Sequence, residues 1–176
     1  MAKAKFDIPE LEEYPEIPKL EPGTMAHLET FKAKPEFQEA LGFQGELSEN
    51  WKEEAVTAMG QILDKYRSVR VYMDACVKCG SCTDKCHYYL GTRDPKNMPV
   101  ARQDLMRKVY RRYFTFAGKY FPKLVGAEDF SQEILDDWYN YYHQCSQCRR
   151  CSVFCPYGID TAEISMAARE IMDRIG

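Results

Sequence analysis

Eight cysteines, arranged in two motifs of identical spacing, indicate that this 176-residue sequence binds metal. The patterns read Cys76-Val-Lys-Cys79-Gly-Ser-Cys82-Thr-Asp-Lys-Cys86 and Cys145-Ser-Gln-Cys148-Arg-Arg-Cys151-Ser-Val-Phe-Cys155. Both have the spacing C-x2-C-x2-C-x3-C, with which bacterial ferredoxins bind [4Fe-4S] clusters. The spacing therefore predicts two [4Fe-4S] clusters, and with them the transfer of single electrons.

The ligands of the two clusters are expected to be exchanged between the motifs. In two-cluster ferredoxins the fourth cysteine of each motif binds the cluster of the other motif. The first cluster is therefore predicted to be held by Cys76, Cys79, Cys82 and Cys155. The second is predicted to be held by Cys145, Cys148, Cys151 and Cys86. These eight cysteines are the predicted metal and cofactor ligands, and no catalytic residue for a substrate is predicted in the chain.

Two other uses of cysteine are open alternatives. An even number of cysteines permits disulfides, but the amino-terminal residues lack the apolar stretch of a secretory signal, and intracellular thiols stay mostly reduced. Structural zinc sites usually combine C-x2-C pairs that are separated by a longer loop. Four cysteines within eleven residues, found twice, fit that arrangement poorly. A binding module with four-thiolate zinc sites is kept as an alternative.

Charge and composition exclude several classes of protein. The net charge is −3, so no general basic field for nucleic acid is present. No apolar run approaches the ~20 residues of a membrane span, and no glycine-rich nucleotide loop is found. A basic cluster, Arg107, Lys108, Arg111 and Arg112, is expected to lie on a solvated helix face. His87 and His143 are close to cysteines but are expected to pack rather than bind a cluster.

The first 47 residues differ from the rest of the chain. They contain five of the nine prolines and a crowd of acidic side chains between residues 7 and 21. Proline fixes an extended backbone and removes hydrogen-bond donors. We expect residues 1–47 to form an extended, acidic, proline-rich arm, either disordered or laid along a partner, followed by a cluster-binding domain at 48–176.

Helical periodicity dominates the predicted domain. Apolar stripes predict helices over 48–67, 80–90, 100–117, about 131–143, 149–155 and 160–175. Residues 68–75 fit a strand or a helix, and a helix is preferred. The 58 residues between the two motifs read as helical rather than as short strands. The fold class is therefore predicted to be all-α, an α-helical ferredoxin around two [4Fe-4S] clusters.

The motifs and their flanking residues resemble a known family. Helical domains with two such motifs occur in the iron-sulfur subunits of succinate dehydrogenase, glycolate oxidase and heterodisulfide reductase. The whole chain is most similar to the amino-terminal region of heterodisulfide-reductase-like subunits of the DsrK type, from the DsrMKJOP membrane complex of dissimilatory sulfur metabolism. Three stretches carry this likeness: residues 72–89, which include the first motif, residues 91–99, Gly91-Thr-Arg-Asp-Pro-Lys-Asn-Met-Pro, and residues 141–151, Tyr141-Tyr-His-Gln-Cys-Ser-Gln-Cys-Arg-Arg-Cys.

The resemblance implies a function and a set of partners. The chain would relay electrons between a membrane quinone or haem subunit (DsrM-like) and a catalytic site that acts on the sulfur carrier DsrC, beside the other DsrJOP-type subunits. The cysteine-rich CCG repeats of the catalytic half are absent, so we expect the sequence to be a fragment or domain of a longer protein. It is expected to lie peripherally on the cytoplasmic face of the inner membrane. An iron-sulfur subunit of a succinate- or glycolate-type dehydrogenase is the alternative, and the direction of electron flow stays open.

Overall fold

A computed structural model describes Glu36, Ala40 and residues 47–176. The predicted arm at 1–47 therefore falls almost wholly outside the described residues, and its boundary at residue 47 stays a prediction. Within the described range the chain is mostly helical and contains no strand. This agrees with the all-α prediction.

The helices are numbered in chain order over the described range. They are α1 Trp51–Lys65, α2 Arg67–Ala75, α3 His87–Thr92, α4 Pro99–Phe114, α5 Phe116–Tyr120, α6 Pro122–Val125, α7 Gln132–His143, α8 Arg150–Val153 and α9 Thr161–Ile175. Two short 3₁₀ turns, Thr83–Lys85 and Pro95–Asn97, precede α3 and α4. Residues 68–75, whose sequence fits a strand or a helix, belong to the helix α2.

The longer helices begin where the sequence provides capping side chains. The Ser131 hydroxyl accepts a hydrogen bond from the Ile134 amide at the start of α7, at 3.4 Å. The Asp160 carboxylate accepts from the Ala162 amide at 2.9 Å at the start of α9. Such side chains satisfy amide groups that the first helical turn leaves without an internal partner.

The core lies where α9 packs against α1, α4 and α7. Trp138 of α7 is fully buried at its centre, and its indole N–H donates to the Leu105 carbonyl of α4 at 3.3 Å. The buried Tyr142 hydroxyl donates to the Arg102 carbonyl at 2.8 Å. These two bonds fix α7 against α4.

Two predicted helices are interrupted. The helix predicted over 80–90 is broken at Cys86, whose backbone is extended with φ −87° and ψ 116°. The helix predicted over 100–117 ends at Phe114, because Thr115 is extended and its hydroxyl caps the next short helix through the Gly118 amide. A Cβ atom on Gly118 would lie 1.8 Å from the Arg111 carbonyl oxygen, so this reversal of the chain requires glycine.

Candidate metal centres

The first cysteine motif is a tight loop between the end of α2 and the turn at Thr83–Lys85. Its curvature comes from two residues with positive φ, Lys78 at 57° and Gly80 at 78°. Left-handed backbone is uncommon for a residue with a side chain and is held in place only where its surroundings enforce it. The loop thus brings Cys76, Cys79 and Cys82 to one side of the chain.

The second motif has the same backbone pattern. It follows α7, and its positive-φ residues are Gln147 and Arg149, both at 58°. These positions correspond to Lys78 and Gly80 in the first motif, one residue on each side of the second cysteine. The two motifs therefore repeat a local conformation as well as a cysteine spacing.

Two adjoining cavities collect the cysteines. The first cavity is lined by thiols from both motifs: Cys76, Cys79, Cys82, Cys151 and Cys155. The second cavity is also lined by thiols from both motifs: Cys86, Cys145, Cys148 and Cys151. The last cysteine of each motif thus lies at the cavity of the other motif. All eight cysteines are free thiols.

Three residues belong to the walls of both cavities. They are Pro99 at the start of α4, Cys151 in α8 and Thr161 at the start of α9. The two cavities are therefore neighbours with shared lining residues.

Within the described residues, no three histidine, cysteine, aspartate or glutamate side chains come together closely enough to hold a single metal ion.

The thiols have unequal environments. Burial, together with a smaller effect of the nearby Cys151 thiol, raises the pKa of Cys82 to about 11. Burial also raises the pKa of Cys151. In contrast, the exposed Cys79 has a lowered pKa because the Ser81 side chain lies 3.4 Å from its sulfur. Metal ligands must be thiolates, so loading of these cavities releases protons.

In each motif, the backbone carbonyl of the first cysteine accepts a hydrogen bond from one arginine. The buried Arg107 of α4 donates to the carbonyls of Met73, at 2.8 Å, and Cys76. Arg169 of α9 donates to the Tyr142 carbonyl and, at 2.6 Å, to the Cys145 carbonyl. Each guanidinium therefore ties the end of a helix to the start of the cysteine loop that follows it.

A third arginine contacts a cysteine sulfur. Arg102 of α4 lines the second cavity, and its Nη1 lies 3.6 Å from Cys86 Sγ. Its Nε donates to the Tyr141 carbonyl at 2.8 Å, and its Nη2 donates to Asn97 Oδ1 at 2.7 Å. The side chain is 2% exposed. Its neighbour Gln103 lines the first cavity instead.

The other basic and histidine residues near the motifs differ in position. His87 lines the second cavity, with Nδ1 4.0 Å from Cys148 Sγ. His143 lies on the exposed end of α7 and contacts the Tyr139 carbonyl of its own helix. Arg149 forms an ion pair with Asp160 at 3.1 Å.

The expectation that the basic cluster lies wholly on a solvated face is wrong for Arg107. Unlike a solvated side chain, Arg107 is 2% exposed and points to backbone carbonyls. Sequence reasoning also misses the roles of Arg102 and Arg169. The signal for Arg102 is positional, since it falls in register with the buried residues Met106 and Val109 of α4.

The donors and the space fit iron-sulfur clusters. Each cavity has four or five cysteine sulfurs in its wall, and thiolate is the ligand by which proteins hold such clusters.

Among the helices of the described range, none has the length and apolar content required to cross a bilayer.

Comparison with known proteins agrees with this fit. Residues 72–159 match a protein family described as a 4Fe-4S dicluster domain. Over 130 residues the chain is 58% identical to the "Hdr-like menaquinol oxidoreductase iron-sulfur subunit 2" of Archaeoglobus fulgidus and 55% identical to the corresponding protein of Archaeoglobus profundus. Each match covers 74% of this chain and 23% of the relative.

A more distant similarity extends to methanogen enzymes. Over 97 residues the chain is 31% identical to one of the subunits of the dihydromethanophenazine:CoB–CoM heterodisulfide reductase of Methanosarcina barkeri, covering 55% of this chain and 23% of that protein. The chain thus spans less than a quarter of the length of these relatives. No solved structure matches it. The similarities confirm the predicted kinship at the level of heterodisulfide-reductase-like iron-sulfur subunits.

Proposed function

The chain belongs to the 4Fe-4S dicluster domain family, and on this premise we propose that it holds two [4Fe-4S] clusters and relays single electrons through them. The observation that carries the proposal is the pair of adjoining cavities. Three cysteines of one motif and the last cysteine of the other line each of them. Two independent structural zinc sites, one in each motif, would not require cysteines of both motifs in each cavity wall.

The proposed ligand sets follow the cavity walls. Cys76, Cys79, Cys82 and Cys155 hold the first cluster. Cys145, Cys148, Cys151 and Cys86 hold the second. Cys151 borders both cavities and is assigned to the second because its motif supplies the other two loop ligands. When bound, each cluster supplies a centre that is oxidised and reduced by one electron.

The residues around the thiols fix the positions of the cysteine sulfurs. Arg107 and Arg169 anchor the two loops at Cys76 and Cys145, which limits the movement of the sulfurs when the charge of the site changes. Pro99 and Thr161, in the wall common to both cavities, keep the two sites close to each other. A short separation favours electron exchange because transfer rates fall steeply with distance.

The proposed partners come from the relatives. The Archaeoglobus relatives carry the name of menaquinol oxidoreductase subunits, and the Methanosarcina relative that of a heterodisulfide reductase subunit. We therefore place this chain between a quinone- or haem-containing membrane subunit and a heterodisulfide-reductase-like catalytic site. The DsrK-type resemblance makes DsrM-like and DsrJOP-type subunits the membrane partners and a DsrC-like carrier the substrate.

The proposed location follows from the same partners. A relay subunit of a quinol-oxidising complex lies against the membrane portion of that complex, and we place this chain peripherally on the cytoplasmic face. Co-purification of the full-length protein with its membrane subunits, and its release by mild detergent, test this placement. Recovery of the full-length protein free of membranes under all conditions would contradict it.

The relay itself is tested by electron paramagnetic resonance of the anaerobically isolated chain. After reduction with dithionite, two paramagnetic centres are expected, with spectra broadened by their mutual interaction, because the cavities share wall residues. A protein with full iron content but a single isolated signal would contradict the proposal that two neighbouring clusters carry the electrons.

A further inference from the structure

Arg102 is a buried cation whose contacts are all to uncharged groups or to sulfur. Its guanidinium donates to the Tyr141 carbonyl, to Asn97 Oδ1 and to Cys86 Sγ. Among the described residues, its partners include no carboxylate, and it takes part in no ion pair. A guanidinium buried without an opposite charge is costly, because it has lost its hydration.

The group that can supply the opposite charge is the Cys86 sulfur. A cysteine that binds a metal does so as a thiolate, and a hydrogen bond from a cation to an anion is about twice as strong as a neutral one. Arg102 is thus placed against a negative charge that exists at this position when the second site is loaded. The neutral partners, Tyr141 and Asn97, hold the guanidinium in that direction.

The first cavity has no buried cation among its described wall residues, since Lys78 in that wall is exposed. The next residue of α4, Gln103, lies in that wall, and its side chain is neutral. Its Nε2 donates to the Tyr72 carbonyl at 2.6 Å, while its buried Oε1 has no hydrogen-bond donor among the described residues. The residue of α4 at the first cavity is therefore uncharged, whereas its neighbour at the second cavity, Arg102, is a cation.

The other lysines and arginines in the two cavity walls each pair with a carboxylate, as Lys85 does with Asp84 at 2.7 Å. Lys78, in the wall of the first cavity, pairs with Asp104 at 2.7 Å. Arg107 lies 3.9 Å from the same Asp104. Arg149, in the wall of the second cavity, pairs with Asp160. Among the described lysines and arginines of the two cavity walls, Arg102 is therefore the one without a carboxylate partner.

We infer that Arg102 is a positioning residue that gives the second site, at Cys86, Cys145, Cys148 and Cys151, a higher reduction potential than the first. This inference rests on the proposed function. Reduction adds one negative charge to a site, and a fixed buried cation stabilises that added charge. A single electron that enters the pair therefore resides at the second site.

The test is a redox titration of the isolated chain followed by electron paramagnetic resonance, with the first site as an internal reference. Arg102→Gln is expected to lower the midpoint potential of the second site and to leave that of the first nearly unchanged. Arg102→Lys keeps the charge and is expected to recover most of the shift. Equal movement of both potentials, or no movement of the second, would overturn the inference.

A second measurement does not require the Arg102 variants to fold. Cys79→Ser and Cys148→Ser replace one exposed thiolate ligand by an alkoxide ligand and so mark the spectra of the first and the second site. The titration itself is made on the unaltered chain, in which the signal assigned to the second site by Cys148→Ser is expected to appear first as the potential is lowered. If the signal assigned to the first site by Cys79→Ser appears first, the inference is wrong. Iron content is measured on the same samples, so that a failure of the two-cluster proposal is recognised separately.

Discussion

The guanidinium of Arg169 donates a 2.6 Å hydrogen bond to the carbonyl oxygen of Cys145, the first cysteine of its motif. Arg107 makes the same contact with Cys76 in the other motif. The two arginines come from different helices, α9 and α4, so the likeness of the two sites extends beyond the cysteine spacing to the way in which each loop is attached to the core.

Removal of the Arg169 contacts should destabilise the protein. Arg169→Met leaves the carbonyls of Tyr142 and Cys145 without their charged donor. Hydrogen bonds to charged groups contribute roughly 1.5–3 kcal/mol, so we expect a loss of about 3 kcal/mol and a clearly lower Tm in thermal unfolding. Arg174→Met is the matched control on the same helix, because Arg174 forms an exposed pair with Glu170 and should lose about 0.5 kcal/mol. Equal losses in the two variants would contradict the anchoring role.

The chain reversal after α4 should depend on glycine at position 118. Gly118→Ala would drive a Cβ atom into the Arg111 carbonyl oxygen, and we expect a loss of about 3 kcal/mol from the required backbone shift. Gly91→Ala serves as the control, since its Cβ would meet no atom within 4 Å and it lies inside α3. That variant should be stabilised by roughly 0.5–1 kcal/mol. Denaturation midpoints of both variants test the prediction, and a stable Gly118→Ala protein would refute it.

The exchange of the fourth ligand between motifs is tested by two alanine variants. Cys155→Ala should damage the site that contains Cys76, Cys79 and Cys82, although Cys155 belongs to the other motif. Cys86→Ala should damage the site that contains Cys145 and Cys148. Spectra of the remaining cluster, compared with those of Cys79→Ser and Cys148→Ser, identify which site is lost. If each variant loses the site of its own motif, the ligands are not exchanged.

The metal-free chain should show unequal thiol reactivity. At pH 8 a thiol with a pKa of about 11, such as that of Cys82, is ionised to roughly one part in a thousand. Cys79, which is exposed and has a lowered pKa, has a much larger thiolate fraction at the same pH. Iodoacetamide labelling followed by mass spectrometry should therefore modify Cys79 well before Cys82.

The control for this prediction is Ser81→Ala. The Ser81 side chain is the main cause of the lowered pKa of Cys79, so its removal should slow the labelling of Cys79 and leave that of Cys82 unchanged. The rate of Cys82 labelling should rise as the pH is raised toward its pKa. Faster labelling of Cys82 than of Cys79 at pH 8 would show that the described environments are wrong.

The sequence predicted the parts of this protein that depend on local pattern. The apolar stripe that predicts a helix over 160–175 is a property of neighbouring residues, and this helix is α9 in the structure. The prediction that cysteines of both motifs meet came from the spacing together with the known behaviour of two-cluster ferredoxins.

The parts that sequence reasoning misses depend on tertiary contacts. Arginine usually lies in solvent, but the partners of Arg107 are carbonyls 31 and 34 residues away in the sequence. The break at Cys86 is hidden because the helical pattern on both sides of it is continuous in the sequence. The arm predicted at 1–47 lies almost entirely outside the described residues and stays a prediction.

The most direct test of the central claim is the metal and sulfide content of the anaerobically purified chain. Two [4Fe-4S] clusters require about eight irons and about eight acid-labile sulfides per chain, together with a brown colour that fades on reduction. Colourless protein with about two zinc ions and no labile sulfide would contradict the account, because such sites stabilise a fold but carry no electrons.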